Sequence, residues 1–133
     1  MWIKDTPMKE WRRALSGVGK YADLVQEPGA TPEKIVKKAL GAGWTPHLDT
    51  IQSKPLRVVA SNDQEEEVVV TWAPAAGLKH LFWAALMAST QSDPRPWVLC
   101  VVGTFAKPTP TNEKLAHQRL AKRCELRIEH LDL

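Results

Sequence analysis

Two runs of apolar, largely β-branched residues with an apolar helical segment between them constrain the fold of this chain most strongly. The first run is Glu67–Trp72 and the second is Trp97–Phe105. Continuous apolar runs of this kind are typical of strands that are buried on both faces of a sheet. Residues 77–90 repeat apolar side chains at helical spacing, which predicts a mostly enclosed helix. The three segments predict a right-handed βαβ unit, whose strands should be neighbours or near neighbours.

A β-hairpin is predicted immediately before this unit, and a helix and an edge strand after it. Leu56–Ala60 and Glu67–Trp72 flank Ser61–Gln64, whose residues favour a turn. Residues from about Asn112 to Arg123 have helical spacing, and Glu125–Glu129 alternates like an edge strand. The fold class is therefore α/β, with α+β as the alternative. We expect a helical first third, followed by a small mixed sheet built from these elements.

The first 54 residues are predicted to be helical. Hydroxyl–proline pairs, which are favourable helix starts, begin at Thr6, Thr31 and Thr45. The third start follows a glycine-containing turn and leads into a short segment, so the order resembles a helix-turn-helix. With the hairpin behind it, the arrangement resembles a winged helix, which implies that Pro46–Lys54 points toward the major groove of DNA.

The composition is that of an ordinary globular protein. With 133 residues, 44% hydrophobic and 25% charged, the chain is expected to form one domain, 1–133. It divides into a helical part, 1–54, and a mixed α/β part, 55–133. No apolar run approaches the ~18 residues of a membrane span, and no signal-peptide pattern is present, so we expect a cytoplasmic protein without a membrane partner. Cys100 and Cys124 lack metal or redox spacing and are expected to be reduced.

Positive charge is concentrated in the first half of the chain. Residues 1–60 contain ten lysines and arginines against six acidic residues, whereas residues 61–133 contain eight against nine. A basic half with a helix-turn-helix order favours a polyanionic partner, and we expect DNA or RNA. The candidate nucleic-acid-binding residues, expected on one continuous face, are Arg12, Arg13, Lys34, Lys37, Lys38 and Lys54.

Tryptophan residues indicate a second class of partner. The basic half contains Trp2, Trp11 and Trp44, and aromatic side chains among basic residues can stack on bases or anchor a protein interface. The main alternative function is therefore a small inhibitor or immunity-type protein that binds a protein partner. An ordinary half-buried core position is the simpler explanation of the same residues.

The connection after the second apolar run is a candidate anion-binding loop. It places a glycine, a lysine and several hydroxyls between a buried strand and a helix N-terminus, at the carboxyl end of the strand. The spacing is not that of the GxxxxGK[ST] phosphate loop, and two prolines remove amide groups, so a rigid connection is the simpler interpretation. The candidate residues are Thr104, Lys107, Thr109 and Thr111.

Catalytic and metal-binding motifs are sparse, and we predict no catalytic residue, metal ligand or cofactor. The four histidines fall in four predicted elements without HxxxH or HExxH spacing, and no serine lies in a GxSxG motif. The order hairpin, helix, strand, helix across residues 56–133 resembles the core of restriction-endonuclease-type folds. The resemblance implies a metal-binding carboxylate and an ExK motif on the hairpin, but the second hairpin strand, residues 69–73, contains neither. A nuclease-like fold without its catalytic residues is the third alternative, after non-catalytic nucleic-acid binding and protein binding.

Overall fold

The computed structural model describes residues 31–91, 95–104 and 107–133, and these form an α/β fold with three α-helices and a five-stranded mixed sheet. A short 3-10 turn, Ala75–Gly77, precedes the second helix. The fold class is the one that the sequence predicts. The helices are α1 (Pro32–Leu40), α2 (Leu78–Ser89) and α3 (Thr111–Arg123), and the strands are β1 (Thr45–Gln52), β2 (Arg57–Ser61), β3 (Glu67–Ala73), β4 (Trp97–Gly103) and β5 (Arg127–Asp132).

The order of the strands in the sheet follows their order in the chain, β1–β2–β3–β4–β5. β2 runs antiparallel to both β1 and β3, whereas β3, β4 and β5 are parallel to one another. Of the five described strands, β2 alone therefore runs in the opposite direction. The carboxyl ends of β1, β3, β4 and β5 meet at one end of the sheet, which we call the carboxyl end.

The predicted βαβ unit and hairpin are both confirmed. β3 and β4 are adjacent parallel strands, with Val70 opposite Val98, and α2 packs against both of them. β2 and β3 form the antiparallel hairpin. Both strands of the parallel pair are buried over most of their length. Such burial on both faces requires the continuous apolar sequence that made these strands recognisable.

The helices cover opposite faces of the sheet. On one face, Ile35 and Val36 of α1 pack with strand residues such as Val58 and Cys100. On the other face, α2 and α3 contribute Leu81 and other apolar side chains that pack on β3 and β4. Successive strand residues point to opposite faces, so both layers draw on the same apolar strands.

Helix α1 begins at the predicted hydroxyl–proline start. The side chain of Thr31 accepts a hydrogen bond of 3.2 Å from the backbone amide of Lys34, and Pro32 occupies the first helical turn. This is the arrangement favoured at helix N-termini. The guanidinium of Arg127, at the start of β5, donates to the carbonyl of Ala39 at 3.1 Å. The C-terminal end of α1 is thus held near the amino end of β5.

The segment predicted as the second helix of a helix-turn-helix is instead a strand, β1, at Thr45–Gln52. Its backbone pairs antiparallel with β2, for example His47 with Val59. Pro46 is tolerated because β1 lies at the edge of the described sheet. A hydroxyl–proline pair suits both a helix start and an edge strand, and the pairing with β2 decides between them. The helix-turn-helix and winged-helix predictions, and the placement of Pro46–Lys54 in a DNA groove, are therefore wrong.

The prediction that α2 is mostly enclosed is only partly correct. Its inner face is buried, but Trp83 is 67% exposed, Met87 44% and Leu86 39%. The apolar spacing correctly predicts the helix, but apolar residues also occupy its outer side, where no described element covers them. Within the described ranges, none of the helices has the length and apolar character needed to cross a membrane.

Candidate binding groove at the carboxyl end of the sheet

A groove of about 620 Å³ lies beside the first half of α2, and we call it the α2 groove. Its described walls are the turn Ser53–Leu56, the end of β3 with Pro74, and α2 as far as Ala84. Val102 of β4 also lines it. The α2 groove therefore opens at the carboxyl end of the sheet, which is where ligands bind in open α/β sheets. Its volume falls in the ~300–1,000 Å³ range of small-molecule sites.

The turn that forms one wall is held in place by hydrogen bonds from two neighbouring strands. The guanidinium of Arg57 donates to the carbonyls of Pro55 at 3.0 Å and Ser53 at 3.4 Å, and to the side chain of Gln52. The buried hydroxyl of Thr71 donates to the carbonyl of Leu56 at 2.7 Å. Because both strands fasten the turn, this wall of the groove is preformed.

Arg57 itself is fixed on a second side. The carbon of its guanidinium lies 5.9 Å from the centroid of the Trp97 ring, within the range of a cation–π contact. Burial lowers the pKa of the Arg57 guanidinium from its ordinary value. The half-buried Arg57 side chain therefore contacts both the turn that forms one wall of the groove and Trp97 at the start of β4.

The lining of the α2 groove is mostly apolar, with a few positive or neutral polar groups. Trp72, only 5% exposed, lies in its lining, and the exposed ring of Trp83 stands on α2. Lys54 and His80 are exposed side chains in the same lining. No aspartate or glutamate occurs among the lining residues that the structure describes. The described surface therefore suits a ligand with a flat apolar part and a negative charge.

Lys54 has an unusual backbone conformation. Its φ angle is 64°, in the left-handed region that non-glycine residues rarely adopt. Such a conformation costs a residue with a Cβ roughly 1–2 kcal/mol. Residues held in this way are concentrated at binding and active sites, because the surrounding structure must maintain them. At Lys54 the hydrogen-bonded turn provides that support.

Two of the four histidines meet in space, although the sequence places them in different elements. His117 on α3 and His130 on β5 lie with Nδ1 and Nε2 3.1 Å apart, and their rings are stacked with centroids 5.3 Å apart. Burial lowers the pKa of His130, and the nearby charges of His117 and Lys114 lower it further. We call these two residues the histidine pair. His47 is elsewhere, with Nε2 2.7 Å from the hydroxyl of Ser61.

Asp132 lies on β5 two residues after His130, at the carboxyl end of the sheet. One of its carboxylate oxygens is 3.8 Å from the Lys114 ammonium. The other, Oδ1, is buried and has no hydrogen-bond partner among the described residues. A Cβ at Gly103 would lie 2.7 Å from this oxygen, so glycine is required there by close approach. Within the described ranges, no group of three or more His, Cys, Asp or Glu side chains could hold a metal ion.

The structure describes all four residues of the candidate anion-binding loop. The hydroxyl of Thr104 accepts a hydrogen bond of 2.9 Å from the amide of Lys107, so it closes the loop. Lys107 and Thr111 are exposed, and Thr109 is half-buried. The Asp132 carboxylate borders the loop through Gly103, and its negative charge opposes an anion there. These contacts favour the interpretation as a rigid connection.

The candidate nucleic-acid-binding residues lie in different places. Lys34, Lys37 and Lys38 are exposed on α1, and no residue of α1 is among the described lining of the α2 groove. Lys54 lines the groove. Trp44 is half-buried and packs against the core, which is the ordinary explanation for a tryptophan. The remaining candidates, Arg12, Arg13, Trp2 and Trp11, lie outside the described residues, as does the predicted helix that begins at Thr6.

Sequence reasoning did not identify Arg57, His80 or Trp83 as site residues. The apolar character of Trp83 fits the helical spacing of residues 77–90, from which a mostly enclosed helix is predicted. Glu65 and Glu66, which precede β3, are exposed, as is Glu67 at its first position. Asn62 organises the turn by accepting from the amides of Gln64 and Glu66. Comparison with protein-family models, curated proteins and solved structures finds no match for this chain.

Proposed function

We propose that the protein is a non-catalytic nucleic-acid-binding protein and that the α2 groove is its binding site. The observation that carries this proposal is the combination of the exposed Trp83 ring with Lys54 and His80 in a groove whose described lining has no carboxylate. Aromatic side chains provide stacking platforms for bases, and neighbouring cations neutralise phosphates. DNA and RNA both have these two features.

The start of α2 supports an anionic ligand. Gly77 precedes the helix without a side-chain hydrogen bond to cap it from the described part of the chain, and the first turn contains no acidic residue. The first amide groups of a helix carry a partial positive charge, which favours negative groups nearby. The amides of Gly77 and Leu78 donate to the carbonyls of Pro74 and Ala75 in the preceding 3-10 turn, so near the α2 groove it is the dipole of the helix that adds to the charge of Lys54.

We propose a protein without catalytic activity because of the residues that the β2–β3 hairpin carries. Restriction-endonuclease-type cores, whose order of elements this chain resembles, carry their metal-binding carboxylate and ExK motif there. In this chain, β2 contains no acidic residue and β3 contains only Glu67, which is exposed at its first position. The resemblance fits a nucleic-acid ligand as fold-level analogy. We also propose a cytoplasmic location, where free cysteines such as Cys100 and Cys124 stay reduced.

The test is a fluorescence-anisotropy titration with labelled single-stranded DNA, single-stranded RNA and duplex DNA at low and moderate salt. We expect binding at low salt and weaker binding to Trp83→Ala and Lys54→Ala. The matched controls are Met87→Ala and Lys79→Ala, since Met87 is exposed on the same helix and Lys79 has the same charge but is not in the described lining. Absence of binding to all three probes at low salt would refute the proposal.

A protein partner is the second candidate function, and one observation favours it. Beside Trp83, the partly exposed Leu86 and Met87 extend the apolar outer surface of α2 beyond the groove, and exposed aromatic and methionine side chains are enriched in protein interfaces. The test is capture of proteins from a nuclease-treated lysate of the native host, followed by purification of any captured protein. If the partner is a protein, Leu86→Ser with Met87→Ser should abolish direct binding of that purified protein and leave oligonucleotide binding unchanged.

A further inference from the structure

The dimensions of the α2 groove restrict which form of nucleic acid it can bind. Its volume of about 620 Å³ has room for one or two nucleotides and not for a duplex. In a duplex the faces of the bases are stacked on one another, so a base is available to an aromatic side chain only when it is unpaired or extruded. A nucleic acid that binds in this groove must therefore present an unpaired base.

The walls of the α2 groove provide a surface for such a base. Trp83 offers an exposed ring on α2. The turn Ser53–Leu56, which Arg57 and Thr71 hold in place, lines the same groove. Because these hydrogen bonds already fix the turn, little ordering of this wall is needed when a base enters, and preorganisation of this kind favours binding.

The small number of cations also indicates a short contact with the phosphate backbone. In the described lining, Lys54 is the one lysine or arginine. Proteins that bind duplex DNA commonly contact about 6–10 phosphates, and their affinity falls steeply with salt. One or two contacts with a single strand correspond to a slope of log K against log salt of only about 0.7–1.4.

From these three observations we infer that the α2 groove accepts one unpaired base of a single-stranded nucleic acid, with Trp83 stacking on the base and Lys54 contacting an adjacent phosphate. This inference rests on the proposed function and specifies its substrate class. The described lining has few polar side chains that could read base edges, and Ser53 among them is buried. Binding should therefore be tolerant of sequence, as stacking-based recognition is.

The experiment compares three labelled probes with equal numbers of phosphates: a single-stranded oligothymidylate, the same backbone with abasic sites in place of its bases, and a blunt duplex. We expect the oligothymidylate to bind about 5- to 150-fold more tightly than the abasic strand, which corresponds to the loss of one stacked base. The duplex should bind no better than the abasic strand. Trp83→Ala should remove the difference between oligothymidylate and abasic strand, and Trp83→Phe should restore part of it.

The outcomes separate the inference from the proposed function. Equal affinity for the oligothymidylate and the abasic strand, or tighter binding of the duplex, would overturn the inference while leaving nucleic-acid binding intact. Failure of all three probes to bind, together with failure of the single-stranded RNA used in the titration above, would overturn both. The probe comparison uses the unaltered protein, so it does not depend on a variant that folds. Because Trp83 is 67% exposed, its substitutions should also leave the melting temperature nearly unchanged, which circular dichroism checks.

Discussion

Replacing Arg57 with methionine should loosen the wall of the α2 groove and destabilise the protein. Methionine keeps an unbranched stem of similar length but removes the donors to the carbonyls of Pro55 and Ser53 and to Gln52. A hydrogen bond from a charged donor contributes about 1.5–3 kcal/mol when well buried. Arg57 is only half-buried and its bond to Ser53 is long, at 3.4 Å. We therefore estimate that the hydrogen bonds of Arg57 together stabilise the protein by roughly as much as one such bond.

The contact with Trp97 adds to this loss. A guanidinium over an aromatic ring contributes about 0.5–1 kcal/mol where it is exposed to solvent. The free energy of unfolding of Arg57→Met should thus fall by about 2–4 kcal/mol, measured by urea denaturation with an unchanged m-value. Oligonucleotide affinity should fall as well, because the turn that carries Lys54 is no longer held.

Two further variants make this test specific. Arg119→Met removes the same charge from an exposed position on α3 and should change stability by less than about 0.5 kcal/mol. Thr71→Val removes the hydroxyl bond to Leu56, whose carbonyl still accepts from the amide of Trp72 at 3.2 Å, so it should cost about 1 kcal/mol. If Arg57→Met proves no more destabilising than Arg119→Met, the argument that Arg57 fastens the turn is incorrect.

Three other predictions concern different parts of the molecule. Because the pKa of His130 is lower in the folded protein, the unfolded chain binds more protons as the pH falls, so the free energy of unfolding should be highest above about pH 6.5 and decrease below it. His130→Asn should make the melting temperature less dependent on pH between about pH 8 and 5. A pH profile identical to that of the unaltered protein would contradict this argument. Gly103→Ala should cost about 1–3 kcal/mol by urea denaturation, and less in the presence of Asp132→Ala, since the clash is with that carboxylate. Replacing Lys34, Lys37 and Lys38 of α1 together with alanine should leave the slope of log K against log salt for single-stranded DNA unchanged. If these lysines instead belonged to a continuous basic face that binds duplex DNA, the same replacement would reduce the slope measured on duplex DNA by up to about three units.

Nuclease activity provides a fifth prediction. We expect no cleavage of DNA or RNA with magnesium or manganese, because the hairpin strands β2 and β3 contain no ExK motif and their one carboxylate, Glu67, is exposed at the first position of β3. The assay incubates purified protein with plasmid and single-stranded RNA in the presence of each metal. Cleavage that disappears on changing Glu66 or Glu67 would show that the exposed acidic turn is catalytic after all.

The parts of the fold that the sequence predicts correctly are those with strong local patterns. β3, α2 and β4 were recognisable because strands buried on both faces must be apolar throughout, and an intervening helix has its own spacing. β1 was not, since Thr45 and Pro46 are equally compatible with a helix start, and only the pairing with β2 excludes it. The orientation of Trp83 was missed for a related reason: apolar spacing identifies a helix face without showing which other element, if any, covers it.

The candidate site was harder to predict than the fold. The α2 groove combines a turn after β1, the end of β3 and the first half of α2, so no contiguous motif marks it. Only Lys54 was singled out, and for its charge alone. The histidine pair was invisible for the same reason, because His117 and His130 meet only when α3 packs on β5. Such convergence depends on tertiary structure, which the spacing of residues along the chain does not contain.

The agreement between strand order and chain order has a consequence for how the protein acquires its structure. Each strand pairs with the one made just before it, so the sheet can grow stepwise as the chain leaves the ribosome. Pairing between consecutive strands limits the length of chain that must close into each loop, which favours folding. β5 is the last of the described strands to be synthesised, and His130 and Asp132 arrive with it. All the described residues that line the α2 groove precede α3 and β5 in the chain, so the described lining itself includes no residue of the histidine pair.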